Sequence, residues 1–294
     1  MFCQPLCHYA AGVTTPPPPA RALRAPLRRV GLHPEDPDAR TFALAGRRVV
    51  CVVTNHGTLA PGKATGVFAS ELTVPYYAFA DAGMTVEVAS PAGGVIPIDP
   101  QSLKPVIRCA ADDRLLADRA LRARMAISPA IADVDLDGVD AIYLAGGWGA
   151  AFDFAVSEPL GAALTEAAAR GVVIGGVCHG PLGLRLATAA DGRPFVEGRR
   201  VSAVTDKQVR ELGIESTPFH PETELRALGA IFESATRRRD PLANHWVVDG
   251  LLVTGQNQNA APMVAREMMQ LLEAEAGAGV AASGGAGEPA GVAR

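Results

Sequence analysis

The chemistry of this chain concentrates in residues 171–184, GVVIGGVCHGPLGL, where a run of strand formers ends at Gly176, Val177, Cys178, His179 and Gly180. A thiol presented on a sharp strand-to-helix turn needs small residues at its flanks, because the backbone there is strained and runs close to its neighbours. Gly176 and Gly180 meet that need. A helix opening near 180–189 would direct the positive end of its dipole at the sulfur and favour the thiolate, the reactive form of cysteine. His179 follows the thiol directly and has the chemistry of a base or of a group that orients substrate. The competing reading is a small buried residue closing a core strand, where free cysteines commonly sit. Two glycines, an adjacent imidazole and a helix start together favour the nucleophile. Cys51 has none of these features and reads as mid-strand packing. Cys109 stands in a loop-like stretch without a visible partner.

Such a thiol must be carried by a sheet edge, and the surrounding pattern supplies one. RRVVCVVTN (47–55), MTVEVASP (84–91), DAIYLAGG (140–147) and GVVIGGV (171–177) read as buried strands. GVFASELTVPYYAFADAG (66–83) and EPLGAALTEAAAR (158–170), with Pro159 in its first turn, read as helices. Strands alternating with helices imply parallel βαβ units with helices on both faces of the sheet. The expectation is an α/β, three-layer αβα sandwich with a mostly parallel sheet. Both GG-containing strand ends then lie at the carboxyl edge, where open α/β sheets hold their ligands. Later stretches read as a strand RRVSAVT (199–205), a helix PETELRALG (221–229), an edge segment AIFES (230–234), a hairpin NHWVVDGLLVTG (244–255) turning at Asp249-Gly250, and a closing helix AAPMVAREMMQLLEAEA (260–276).

Composition narrows the partners and the compartment. A chain of 294 residues, 48% hydrophobic, can bury a sizeable core, and a net charge of −4 leaves no basic footprint for a nucleic acid. No apolar run approaches the roughly 18–20 residues of a membrane span, and the N-terminus lacks the pattern of a secretory signal. Five cysteines without a regular framework favour a reducing, cytoplasmic setting. Residues 1–45, with Pro16 to Pro19 and HPEDPD, read as a disordered extension, or as the product of a start codon placed too far upstream. The compact domain is expected over 46–273, followed by a disordered Ala/Gly-rich tail over 274–294. Cys3, Cys7 and His8 make an incomplete tetrahedral set, so no metal is inferred, and no phosphate-cradling loop points to an organic cofactor.

Four separated stretches, in order, carry a family resemblance: TGVFASEL (65–72), VASPAGGVIPIDPQSL (88–103), VCHGP (177–181) and LVTGQNQNA (252–260). From about Arg47 to Gln270 the chain resembles the ThiJ/PfpI superfamily, whose fold is similar to that of class I glutamine amidotransferases, a flavodoxin-like arrangement. The likeness is greatest to the glyoxalase III and chaperone-like branch. The resemblance implies Cys178 as nucleophile, His179 as the adjacent histidine and Glu71 as a glutamate facing the sulfur. A carboxyl under apolar cover beside a thiol should have a raised pKa and shuttle protons. AGGWGAAFDF (145–154) matches the family's Gly-Gly-x-Gly stretch, so Gly146 and Gly147 are expected to supply backbone donors for an oxyanion, together with the N–H of His179.

The chain departs from that branch at two places. Trp148 stands where the branch often carries histidine; it can wall a substrate pocket but cannot titrate. Val209 stands where an acidic third triad member is expected. Asp206 and Glu211 are near in sequence, yet a shift of three or two residues points a helical side chain elsewhere. FHPE (219–222) offers a rival triad, Cys178-His220-Glu222, of the amidotransferase kind. Its plainer reading is a helix start, with His220 before Pro221 and Glu222 in the first turn.

The resemblance implies a cofactor-independent enzyme, a homodimer, that converts a small carbonyl substrate, an α-oxoaldehyde such as methylglyoxal, to a hydroxy acid, with glycation repair and stress protection as related roles. Two other classes compete: a cysteine hydrolase, hydratase or amidotransferase-like enzyme, and a holdase chaperone or redox sensor.

Overall fold

The computed structural model describes residues 26–27, 32–59, 62–214, 216–236 and 243–283, with side chains followed to residue 276. Its centre is a six-stranded sheet. In chain order the strands are β1 (Arg48–Val52), β2 (Thr85–Ala89), β3 (Ala141–Leu144), β4 (Val173–Val177), β5 (Trp246–Asp249) and β6 (Leu252–Gly255). They lie side by side as β2-β1-β3-β4-β6-β5, parallel throughout except for β5, which turns back on β6 at the expected Asp249-Gly250 corner. β1, β3, β4 and β6 are almost wholly buried, as strands covered on both faces must be.

One face is covered by helices α1 (Ala69–Asp81), α2 (Ala110–Ala117), α3 (Arg119–Ala126) and the closing helix. Leu72, Tyr76, Phe79, Val264 and Met268 fill that core. On the other face lie α4 (Ala150–Asp153), α5 (Glu158–Ala169) and the turn after β4, with Phe154, Leu160, Leu164 and Leu182 packed beneath them. This is the expected three-layer α/β architecture. Two further helices, α6 (Asp206–Glu211) and α7 (Pro221–Ala227), follow the elbow, and α8 (Ala261–Ser283) closes the chain. Arg200–Val201 and Ile231–Phe232 form a short parallel ladder of their own, Arg200 opposite Ile231, instead of extending the main sheet.

The register decides where the site falls. Val52 pairs with Leu144, and Leu144 pairs with Gly176, so β1, β3 and β4 end level. The chain passes from β1 outward to β2 and then returns to β3 on the other side of β1, a topological switch point that opens a crevice at the carboxyl edge. The Gly146-Gly147 turn after β3 and Cys178 after β4 both emerge there.

Three expectations need correction. The core begins before residue 46, because Phe42 and Leu44 are buried against it and Arg266 of α8 pairs with Asp36 at 2.6 Å. Two large apolar residues alternating with alanines are too few to register as a period, and tertiary contact alone reveals them. At the other end α8 continues to Ser283, past the expected boundary at 273, in keeping with the high helix propensity of alanine. Cys109 is not a loop residue without a partner. It caps α2, where its N–H donates to Asp112 at 2.8 Å and its sulfur takes the reciprocal bond of a capping box. Cys3, Cys7, His8 and residues 284–294 lie outside the described residues. Among the described residues no helix is long and apolar enough to cross a membrane.

Candidate active site

Cys178 is the one non-glycine residue with positive φ among the described residues, at 59°. That conformation costs an L-residue roughly 1–2 kcal/mol and persists only where the surroundings over-determine it. They do so here. Cys178 N–H donates to Gly255 O at 2.9 Å, and its carbonyl accepts Val204 N–H at 3.1 Å. Gly176 and Gly180 flank it as expected, for a visible reason: a Cβ on Gly180 would stand 2.2 Å from Leu144 O. The turn that follows is a 3-10 helix over Gly180–Leu186 and not the longer α-helix expected over 180–189. Its single short turns give a weaker dipole than that expectation assumed, and burial acts in the opposite direction. Cys178 retains 8% of its surface while His179 retains none.

Glu71, expected to face the thiol, does so from the first turn of α1 as its hydrogen-bond partner. A proline explains how this glutamate is held. Pro75 sits inside α1 and has no N–H to offer the carbonyl four residues earlier, which is that of Glu71. Tyr143 of β3 fills the gap: its hydroxyl donates to Glu71 O at 2.8 Å in the core. Tyr143→Phe is expected to leave this carbonyl unpaired and to destabilise the fold by about 1–3 kcal/mol, read as a lower denaturation midpoint with an unchanged denaturant slope.

The electrostatics follow from burial. Desolvation pushes the Glu71 carboxyl up to about 8, reinforced by the charge of Asp99 and opposed by the hydrogen bond with Cys178. The Cys178 thiol is pushed well above its ordinary value by burial and by the negative charge of an ionised Glu71, while the N–H groups of Gly147 and His179 at the sulfur pull it back. The two groups share a proton economy. When Glu71 keeps its proton its charge vanishes and its carboxyl donates to sulfur, so the thiolate is favoured in the state where Glu71 is neutral. His179 is pushed down to about 3 by burial, with the charge of His220 adding to the effect, and is a neutral imidazole. Its Nδ1 lies 3.4 Å from the sulfur. Glu71 Oε2 and His179 Nε2 are buried without a protein hydrogen-bond partner.

Gly146 and Gly147 complete the site. A Cβ on Gly146 would fall 2.3 Å from Glu71 Oε2 and 2.9 Å from Cys178 Cβ. The turn therefore closes directly over the acid and the thiol. Trp148 is half-buried against the same core cluster that holds Cys178, and Lys63 lies over its ring.

None of the remaining candidates bonds the sulfur. Val209 is fully buried in the core, and Asp206 turns away: its Oδ2 accepts the Thr223 hydroxyl at 2.6 Å. The rival triad is not assembled. Glu222 accepts the Asp206 N–H at 3.0 Å and pairs with Arg226 at 3.0 Å. His220 caps α7 ahead of Pro221, the plainer of its two readings, and among the described residues its ring bonds neither Cys178 nor Glu222. Its charge nonetheless reaches His179.

Two residues escaped the sequence reading. Asp99 is a buried acid whose charge acts on Glu71 and which is held by Thr65 Oγ1 at 2.9 Å and Gln101 N–H at 2.8 Å. Its position between Ile98 and Pro100 was the available signal. Asp153 accepts the Thr54 hydroxyl and the Asn55 N–H, tying α4 to the end of β1 and bracing the glycine turn.

Comparison with known proteins gives this geometry a context. Glyoxalase 3 of Candida albicans is 27% identical over 219 residues, covering 72% of this chain and 92% of that protein. The glutathione-independent glyoxalase HSP31 of Saccharomyces cerevisiae is 26% identical over 240 residues, covering 78% of this chain and 100% of that protein. Among solved structures, the Rapid Encystment Protein 24 KDa (REP24) of Francisella tularensis superposes with a TM-score of 0.72 at 30% identity, over 77% of this chain and 99% of that one. The DJ-1/PfpI family matches residues 63–271, from the segment that leads into α1 to the helix that follows the last strand, and the chain belongs to that family.

Proposed function

We propose that this protein is a cysteine-dependent, cofactor-independent glyoxalase that converts α-oxoaldehydes such as methylglyoxal to hydroxy acids. The observation that carries the reading is the Glu71 carboxyl buried against the Cys178 thiol beneath the Gly146-Gly147 turn. The activity printed in the names of the Candida and Saccharomyces relatives supports it.

The Cys178 thiolate adds to the aldehyde carbon, and the Glu71 proton goes to the carbonyl oxygen, giving a hemithioacetal. The backbone donors that held the sulfur anion then lie beside the oxygen that takes its charge. Glu71, now ionised, removes the C1 proton and returns it to C2, while the C1 hydroxyl proton passes to the C2 oxygen. The product is the thioester of the hydroxy acid. Water splits that thioester, the thiolate leaves, Glu71 recovers a proton, and the acid's own proton goes to solvent. No external oxidant or reductant is consumed. Glu71 suits this shuttle better than His179, because a group near 8 exchanges protons at neutral pH whereas an imidazole held near 3 is a poor base.

The test is methylglyoxal consumption without glutathione, followed across pH with lactate as product. The reactive pair, a protonated Glu71 and an ionised Cys178, holds one proton between two groups; below about 8 the carboxyl is protonated and so is the thiol, which titrates higher, so kcat/KM is expected to rise as pH rises through that value and then level off. Glu71→Gln keeps the shape but cannot shuttle, and should lower kcat by about 10²–10⁴-fold. No lactate from the wild type, or an unimpaired Glu71→Gln, would overturn the proposal.

A further inference from the structure

The hairpin formed by Thr58–Leu59 and Lys63–Ala64 stands beside the glycine turn. The chain leaving it runs against that turn: Gly149 N–H donates to Gly66 O at 3.3 Å, and Phe68 N–H to Gly146 O at 3.4 Å. This places Lys63 Nζ 5.4 Å from the centre of the Trp148 ring, one residue from the Gly147 N–H that faces the sulfur. The same ammonium is also electrostatically linked to the site. Its charge acts on Asp99, whose charge acts on Glu71.

Lys63 is exposed, and among the described residues no carboxylate lies within ion-pair distance of it. Asp99 is occupied by Thr65 and Gln101 and is also within reach of the charge of Lys104. The ammonium is therefore available to a ligand, while the indole under it offers a flat apolar wall. A methyl substituent on an α-oxoaldehyde meets only the wall. An anionic substituent on the same carbon skeleton meets the wall and the charge.

We infer that Lys63 and Trp148 form a charged aromatic lip that determines specificity, selecting α-oxoaldehydes that carry an anionic group over neutral ones. The inference rests on the glyoxalase reading above. It assigns to Trp148, where a titrating histidine is absent, a role in binding the part of the substrate remote from the thiol.

The experiment compares phenylglyoxal with para-carboxyphenylglyoxal, two probes of one shape and different charge, alongside methylglyoxal and without glutathione. At low ionic strength the wild type should favour the carboxylated probe in kcat/KM by about 5–10-fold, and added salt should erode the preference because the ammonium is exposed. Lys63→Gln should remove it through KM while leaving phenylglyoxal within about two-fold, and Lys63→Arg should retain it. Equal losses on both probes would mark Lys63 as a counter-charge for Asp99 and overturn the inference, as would an unchanged ratio. Turnover of methylglyoxal with neither aryl probe consumed also overturns it, since the lip would then bind no such group. Failure to consume methylglyoxal itself is a different result, and it removes the glyoxalase reading.

Discussion

Cys178→Ser is expected to eliminate methylglyoxal turnover, by about 10³-fold or more, while leaving the protein folded. The substitution exchanges one atom. A serine hydroxyl accepts the same positive φ at the elbow and the same N–H groups of Gly147 and His179, so circular dichroism and the thermal midpoint should change little. What disappears is the more acidic and more nucleophilic of the two groups. The surroundings of the sulfur raise even a thiol by burial, and an alcohol, which starts far higher, would not ionise there at all. His179 does not rescue it, because an imidazole near 3 has little affinity for the hydroxyl proton. Retention of more than a tenth of wild-type kcat/KM in Cys178→Ser would remove the nucleophile from this mechanism.

Gly147→Ala should damage both the site and the fold. Gly147 has φ of 111°, and a Cβ there would stand 2.4 Å from Phe68 N, 2.5 Å from Gly66 O and 2.7 Å from Val67 Cα. All three are backbone atoms, so no side chain can swing aside. The turn must move, and the N–H at the sulfur moves with it. Loss of one donor of this kind lowers kcat by about 10²–10³-fold. The accompanying overpacking and strain are expected to cost about 1–3 kcal/mol or more. Single-turnover kinetics and a denaturation curve on the same sample check the two effects. Wild-type kcat in a folded Gly147→Ala would show that this N–H has no part in the chemistry.

The strained turn at Cys178 and the glycine turn were legible in the sequence because each is a local device. A strand that stops at Gly-x-Cys-His-Gly, or at Gly-Gly, declares a turn of restricted geometry within a few residues, and alternation of apolar runs with helical periods declares the parallel sheet that bears both. The identity of Glu71 depended on the family likeness, since its neighbours in sequence do not distinguish a buried acid from a solvated helix residue.

Tertiary structure alone decided the rest, through contacts between residues far apart in the chain. Pro75 withholds an N–H from Glu71, but only the pairing of β3 with β1 brings the hydroxyl of Tyr143 to take its place. The thiol's ionisation could not be read from a helix start, because desolvation and the shared proton with Glu71 outweigh the dipole of a short 3-10 turn. Phe42 and Leu44 look like parts of a polar extension until the core they enter is assembled. Lys63 is one exposed lysine among many until a hairpin sets it over Trp148. Local sequence determines backbone shape; charge, burial and the meeting of distant side chains belong to the folded chain.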